Sequence, residues 1–335
     1  MSTTIEEALW ERKVSDAISL CEKDGMVYTS CILNRHVNSE KEEIESIMTK
    51  QDVLVIPLIN GICNRLLPLL SLSYIARESD RKILAYWQAR PGRISIIYYG
   101  DTTEFSELFT FPGITFITND TLCMLNRKMP VLDVFRTPPI VEKGSVCFVN
   151  AWGVLFPDWF PRENLGRYNL HSGKFIQDDY FKILRKEAKK LLPVSSIQKI
   201  IEEEKRKIKP SKIIGLHLRR TDGGFLTKNW DKTDEELLKR VEEWREKGYS
   251  FFVASDHEKY EDYFGEVYLY RTENKYGNTK TNTKAGIVDL YLLAECDIII
   301  STQNSSFGLV ASLLSDKAEL WYVSDDPITV KNITI

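Results

Sequence analysis

Only four histidines occur in the 335 residues, and the six cysteines (Cys21, Cys31, Cys63, Cys123, Cys147 and Cys296) are scattered, with no Cys-x-x-Cys pair and no histidine at metal-ligand spacing. A zinc module and a disulfide framework are thereby excluded, and dispersed free thiols suit a reducing compartment. Nor is there an excess of one charge. With 45 Lys and Arg against 48 Asp and Glu, the formal net charge is −3, so no surface-wide field exists to coat a nucleic acid, and any anion site must be local. Long apolar runs are missing too: stretches such as Val53–Leu58 are strand-sized, far short of the roughly 18 residues a membrane helix needs. The N-terminal residues Met1 to Arg12 are acidic and amphipathic, without a basic segment followed by an apolar one. The expectation is a soluble, cytoplasmic or otherwise intracellular protein with no membrane span. No strand-to-helix turn carries G-x-G-x-x-G or G-x-x-x-x-G-K-S/T, which takes the best evidence from dinucleotide oxidoreductases and P-loop enzymes. There is no Asp-x-Asp motif; Asp178-Asp179 and Asp325-Asp326 occupy ordinary capping or turn positions. A metal-free anion site built from arginine fits this inventory.

What is present is an alternation of strands and helices in a chain long enough, at 43% hydrophobic residues, to fill two cores. The first 25 residues read as an amphipathic helix. Val53–Leu58 reads as a buried strand, Arg65–Arg77 as a leucine-rich helix and Lys82–Trp87 as a second strand, which begins a parallel sheet. Residues 92–159 mix short strands with Pro and Gly breakers. Helices are expected from Asp178 to Leu192 and from Pro193 to about Lys207, where Lys and Arg outnumber Asp and Glu, a pattern usual for a solvated helical face. After that come strand Lys212–Leu218, helix Asp234–Lys247, strand Ser250–Ala254, helix Glu258–Phe264, strand Glu266–Tyr270, helix Ala285–Ala294, strand Asp297–Ser301 and helix Phe307–Leu314. The division expected is 1–193, 194–320 and a C-terminal tail 321–335 packing back on the body.

Open parallel sheets bind ligands beyond the carboxyl ends of their strands. Polar residues stand at four such places: Asn60-Gly61 to Asn64-Arg65, Arg219-Arg220-Thr-Asp222, Ser255-Asp256-His257, and Thr302 to Gly308. Strand alternation puts His217 and Arg219 on one face and Arg220 on the other, so one arginine can face a ligand while its neighbour pairs with a carboxylate. Guanidinium suits phosphate because it stays charged and binds bidentately. Asn304-Ser305-Ser306-Phe307-Gly308 opens a helix whose hydroxyls and N–H groups fit phosphate oxygens, although N-capping alone explains one serine. Asp289, inside an apolar helical sequence, needs a partner: the donor edge of a guanine or an ordinary cation.

Ile214-Gly-Leu-His217-Leu-Arg219-Arg220-Thr-Asp222 resembles the His-x-Arg-Arg-x-Asp signature of the α1,6- and α1,2-fucosyltransferases, the nodulation fucosyltransferases and, more distantly, the protein O-fucosyltransferases. Gly61-Ile-Cys-Asn64-Arg65, Phe105–Phe109, Phe252–Asp256 and Val288-Asp289…Asp297…Ser305-Ser306 are similar to further family segments in the right order. The resemblance covers roughly 53–109 and 212–314. It implies an α/β fold of the GT-B type, two Rossmann-like domains facing a cleft, with the acceptor on the first side and a GDP-sugar on the second. It also implies inverting, metal-independent transfer of fucose to a carbohydrate hydroxyl, with GDP-fucose as co-substrate and no cofactor. By position, Arg219 binds and stabilises the leaving diphosphate; His217 and Asp289 contact the nucleoside, Ser305 and Ser306 the diphosphate, and Asn64 the donor, while Gly61, Arg220 and Asp222 hold the loops. Gly223-Gly224 stands where the α1,6 enzymes carry a Lys and a Glu, which leaves Asp222 as the nearest candidate base, ahead of Asp231 and Glu163. Two rival readings are transfer of another sugar, such as xylose or another deoxyhexose, and a catalytically silent nucleotide- or carbohydrate-binding module.

Overall fold

The computed structural model describes residues 53–58, 61–87, 92–94, 97–99, 103–117, 131–133, 140–141, 147–150, 156–157, 179–208, 212–220, 230–272, 275–276, 280–302, 305–325 and 328–333. The expected helix over the first 25 residues, Asp222, Gly223-Gly224, Glu163 and Asn304 lie outside them.

Among these residues the chain forms two compact units: one runs from residue 53 to 157 without 106–110, the other comprises 106–110 and 179–333. The division expected at 193/194 therefore falls earlier. The reason is visible in the contacts of helix α2 (Asp179–Ala188) and the residues after it: Lys189 Nζ donates to the Leu314 carbonyl at 2.6 Å and Tyr291 OH to the Leu191 carbonyl at 2.6 Å. Residues 106–110 join the second unit because Phe109-Thr110 pairs antiparallel with Leu192-Pro193.

The first unit has a parallel five-stranded sheet of β1 (Val53–Leu58), β2 (Lys82–Trp87), β3 (Ile114–Phe116), β4 (Val131–Asp133) and β5 (Cys147–Asn150), in the order β3-β2-β1-β5-β4. Every residue of β1 is buried, as a central parallel strand covered on both faces requires. Helix α1 (Ile62–Glu78) follows directly and buries Leu66, Leu67, Leu69, Leu70 and Leu72. Its hydrophobic residues leave little polar face, which explains why this leucine-rich run is a core helix. Pro68 sits inside it and has no N–H to give the Asn64 carbonyl.

The second unit has β6 (Ile213–Leu218), β7 (Ser250–Ser255), β8 (Ile298–Thr302), β9 (Glu319–Asp325) and β10 (Ile328–Ile333), in the order β7-β6-β8-β9-β10. The first four are parallel and β10 is antiparallel to β9. The tail expected from 321 onward is thus part of this sheet. Helices α3 (Ser195–Lys205), α4 (Trp230–Glu246), α5 (Lys280–Ala294) and α6 (Ser306–Leu314) complete the unit. Glu258–Glu261 is a short 3-10 turn, not the expected α-helix, and Glu266–Tyr270 contributes only an isolated bridge from Tyr268 to Phe252. Ile214, Leu216 and Leu218 of β6 pack with Leu237 and Val241 of α4, Phe251 and Val253 of β7, and Tyr260 and Phe264. Two glycines allow close layers. A Cβ on Gly215 would lie 2.7 Å from Leu293 Cδ2 and 2.9 Å from Cys296 Sγ, and one on Gly308 would overlap Ser301. Among the described residues no helix is long and apolar enough to cross a membrane.

Candidate functional site

In the second sheet the chain leaves β6 toward β7 on one side and reaches β8 on the other, so the strand order reverses between β6 and β8. Such a switch point is where doubly wound sheets open a crevice at the carboxyl ends of their strands. The Arg219-Arg220 pair emerges at the end of β6, Thr302 ends β8, and Ser305-Ser306 begins α6 just beyond it. Parallel register sets His217 beside Ser301.

Arg220 is committed to the protein. Its Nη2 donates to Asp234 Oδ1 at 2.7 Å, its Nε to Tyr260 OH at 2.8 Å and its Nη1 to Thr302 Oγ1 at 3.0 Å. Its backbone N–H goes to Asp256 Oδ1 at 2.7 Å. The Arg220 and Asp234 side chains are 5% and 0% exposed, so this is a buried pair with its remaining hydrogen-bonding groups supplied by neighbours. Tyr260 OH also donates to Asp234 Oδ2, and Lys259 Nζ lies 3.3 Å from the same oxygen. Burial is the main cause that raises the Tyr260 pKa far above the ordinary phenol value.

Thr302 ties the two arginines together. Its hydroxyl accepts from the Arg219 N–H at 3.1 Å and from Arg220, and donates to the His217 carbonyl at 3.2 Å. Arg219 itself is half-buried, one residue past the strand. His217 is buried with its Nδ1 3.0 Å from Ser301 Oγ, and its ring stacks on Phe307 at 4.7 Å between centroids with 14° between planes. Burial first, and the charges of Arg219 and Arg220 second, push its pKa down to about 3. The imidazole is therefore neutral at physiological pH and acts through hydrogen bonds, not charge.

Ser305 is the N-cap of α6, with its side-chain oxygen accepting from the Phe307 N–H at 3.4 Å; Ser306, half-buried, is the first helical residue. Asp289 lies on α5 and pairs with Lys275, Nζ to Oδ2 2.9 Å, both side chains 5% exposed. Lys275 Nζ also donates to the Tyr270 carbonyl at 2.7 Å. Desolvation outweighs this cation and raises the Asp289 pKa to about 6. Of the two partners open to Asp289 from sequence, the structure contains the cation.

In the first unit Gly61 is the N-cap of α1 with extended φ, and Asn64 stands in the first turn, half-buried. Arg65, 1% exposed, places its guanidinium 4.6 Å from the Trp87 ring centroid. The structure thus gathers His217, Arg219, Arg220, Ser305 and Ser306 around the ends of β6 and β8. Sequence reasoning missed Asp234, Tyr260 and Ser301, and named Thr302 only as the start of a polar strand-end stretch. Ser301 and Thr302 carried a faint signal as the polar end of an apolar strand; Asp234 looked like an ordinary acidic residue at a helix start. Among the described residues no group of three or more His, Cys, Asp or Glu is placed to hold a metal ion.

No protein-family model and no curated protein matches the sequence. Solved structures do match by shape. The crystal structure of NodZ α-1,6-fucosyltransferase soaked with GDP-fucose aligns over 85% of this chain and 99% of that chain at 16% identity and a TM-score of 0.53. The fucosyltransferase NodZ from Bradyrhizobium gives 17% identity and a TM-score of 0.55 over the same shares, 85% and 99%. A mutant of Arabidopsis thaliana FUT1 in complex with GDP aligns over 95% of this chain and 81% of that one, at 12% identity and a TM-score of 0.50. The chain accordingly has the α/β fold of the GT-B type, with two Rossmann-like units, that these proteins have.

Proposed function

We propose that the chain is a glycosyltransferase that moves fucose from GDP-fucose to a carbohydrate hydroxyl, with inversion at the anomeric carbon and without a metal ion. The observation that carries this reading is the place of two adjacent arginines at the end of β6, at the switch point of the sheet. Arg220 is spent on Asp234, Tyr260 and Thr302. Arg219 precedes it at the mouth of the β6/β8 switch point, with its backbone N–H on Thr302, the last residue of β8, four residues before α6 begins. A permanently charged fork at a strand end next to a helix N-terminus suits a diphosphate. That two of the similar structures hold GDP or were soaked with GDP-fucose gives the nucleotide its identity in this proposal.

The chemistry follows from these placements. The acceptor oxygen attacks the anomeric carbon as the bond to the β-phosphate breaks, and the proton leaves the acceptor for a base, for which Asp222 is the nearest carboxylate in sequence. Negative charge grows on the departing GDP. Arg219, the α6 N-terminus and the Ser305 and Ser306 hydroxyls meet that charge, so its stabilisation requires no cation from solution. His217, being neutral, adds orientation instead of charge. Asp289, buried in its pair with Lys275, takes no part in this scheme.

Calorimetry with GDP, UDP and GDP-fucose tests the donor, and slow GDP release from GDP-fucose with water or simple sugars separates an enzyme from a silent binder. GDP should bind and UDP should not. In Arg219→Lys a point charge replaces a bidentate fork, and GDP affinity or turnover should fall by at least about tenfold. A variant that binds and turns over as the parent does would disprove the phosphate assignment.

A further inference from the structure

Ser301 belongs to none of the sequence motifs, yet it is the residue against which His217 is set. It is 0% exposed, pairs laterally with His217 in the β6/β8 register, and holds its Oγ 3.0 Å from His217 Nδ1. The same hydroxyl reaches the Thr302 carbonyl at 3.3 Å. Gly308 of α6 sits directly on it, since a Cβ there would overlap both Cβ and Oγ of Ser301. Phe307 covers one face of the imidazole. The ring is thus fixed by its face and by one nitrogen.

A hydroxyl has one proton to give and lone pairs to fill. With the imidazole proton on Nδ1, His217 donates to Ser301 and Ser301 donates to the Thr302 carbonyl, so both functions of the buried hydroxyl are met. With the proton on Nε2, Ser301 must turn its own proton to Nδ1 and gives up its bond to the Thr302 carbonyl. The Thr302 hydroxyl offers no way out: it accepts from Arg219 N and Arg220 Nη1 and gives its proton to the His217 carbonyl. The Nδ1–H form therefore keeps one more hydrogen bond than the Nε2–H form.

We infer that Ser301 is a positioning residue that holds His217 as its neutral Nδ1–H tautomer, so that Nε2 presents a lone pair and selects a hydrogen-bond donor of the nucleoside, a hydroxyl or amino group, over a phosphate oxygen. A phosphate oxygen is itself an acceptor and is repelled by that lone pair, whereas Arg219 two residues on carries only donors. Nucleoside and diphosphate are thereby sorted by the polarity of adjacent groups on one strand end. The low His217 pKa keeps the lone pair available across the neutral range. The ligand half of this inference rests on the nucleotide site proposed above; the tautomer does not.

The experiment is long-range proton–nitrogen correlation of the imidazoles in the full-length, ligand-free, 15N-labelled chain at neutral pH, with His217 identified by the signals lost in His217→Gln. Nδ1 should resonate as a protonated, pyrrole-type nitrogen and Nε2 as a bare, pyridine-type one. Ser301→Ala should shift the ring toward the Nε2–H form and lower GDP affinity by about tenfold, the scale of one well-placed hydrogen bond. In the parent chain, GDP should bind more tightly than 2′-deoxy-GDP or inosine diphosphate, whichever lacks the donor that Nε2 accepts. An Nε2–H tautomer in the parent chain overturns the inference whether or not the alanine variant folds, and so does an unchanged tautomer in a folded Ser301→Ala. If the tautomer is as stated and GDP fails to bind, the ligand half falls together with the proposed function, and the two failures are told apart.

Discussion

Replacing Asp234 by alanine removes a carboxylate that the Arg220 side chain contacts at 2.7 Å in a setting where the pair is 5% and 0% exposed. Three bonds are lost: the ion pair to Arg220, the one from Tyr260 OH and the contact with Lys259 Nζ at 3.3 Å. The Lys259 contribution is small because that side chain is 38% exposed and water screens it. The large effect comes from Arg220, which loses its buried ion-pair partner while its bonds to Tyr260, Thr302 and the Arg219 carbonyl remain. Stranding one member of a buried pair costs roughly 3–5 kcal/mol. For a domain of this size, about 2–4 °C of melting temperature accompanies each kcal/mol, so a drop of roughly 6–20 °C is expected. Urea and thermal unfolding read it directly. Trp244 lies on the same helix as Asp234 and meets Trp321 edge-on at 6.0 Å, which gives a fluorescence reporter inside the affected unit. The double variant Arg220→Met, Asp234→Leu should recover much of the loss, since an apolar pair of similar volume leaves no stranded charge. A single Asp234→Ala that costs less than about 1 kcal/mol, the scale of an exposed pair, would refute the buried-network argument.

Three other outcomes are expected. Gly308→Ala inserts a methyl where Ser301 already is, and should destabilise by about 1–3 kcal/mol through overpacking; unchanged urea unfolding would show that α6 gives way freely. In Lys275→Met, Asp289 keeps its burial but loses both influences that lower its pKa, so the folded value should climb above about 6 while the unfolded value stays near 3.9. Both chains then lose stability as pH rises from about 4 to 6, the parent levels off above about 6 and the variant goes on falling, so stability relative to the parent should fall only above about pH 6; a difference that stays flat from about pH 6 to 9 would sink this account. For the proposed transfer reaction, EDTA should leave turnover intact, and activity lost in chelator and restored by a divalent ion would overturn the metal-independent scheme.

The alternation of apolar strands and amphipathic helices made most elements legible. Lys82–Trp87 has the bounds read from sequence, and Lys212–Leu218 differs from β6 by one residue. Errors arose where side-chain pattern and backbone part company. The first turns of α5, Lys280 to Lys284, are polar and show no apolar period, so the helix seemed to begin at Ala285. Glu319–Asp325 mixes buried Leu320, Tyr322 and Val323 with a half-buried Trp321, and this blurred two-residue period hid a strand. Sequence led to the expectation of arginines on opposite sides of a strand but gave no way to find their partners. Tyr260, Ser301 and Thr302 come next to β6 through the register of parallel neighbours and crossover lengths, quantities that spacing along one chain does not contain.

The paired arginines owe their different roles to the two-residue period of the strand that delivers them. A strand entering a switch point has one side turned to the crossover helix and the other to the crevice, and consecutive residues cannot share a side. Arg220 therefore meets α4 and the turn after β7, where Asp234 and Tyr260 are waiting, and its four protein bonds make it a strut. That strut holds Thr302, and Thr302 in turn holds the Arg219 backbone N–H and the His217 carbonyl. His217 and Arg219, the pair proposed to face the nucleotide, are thus fixed through their main chain by a neighbour whose side chain is bonded to protein. Under the proposed function this gives a reason to bury a second guanidinium so close to the first: without an anchored Arg220, the residues after β6 would lack the hydrogen bonds that hold the Arg219 main chain, and a fork misplaced by an ångström would forfeit much of its value to a developing charge.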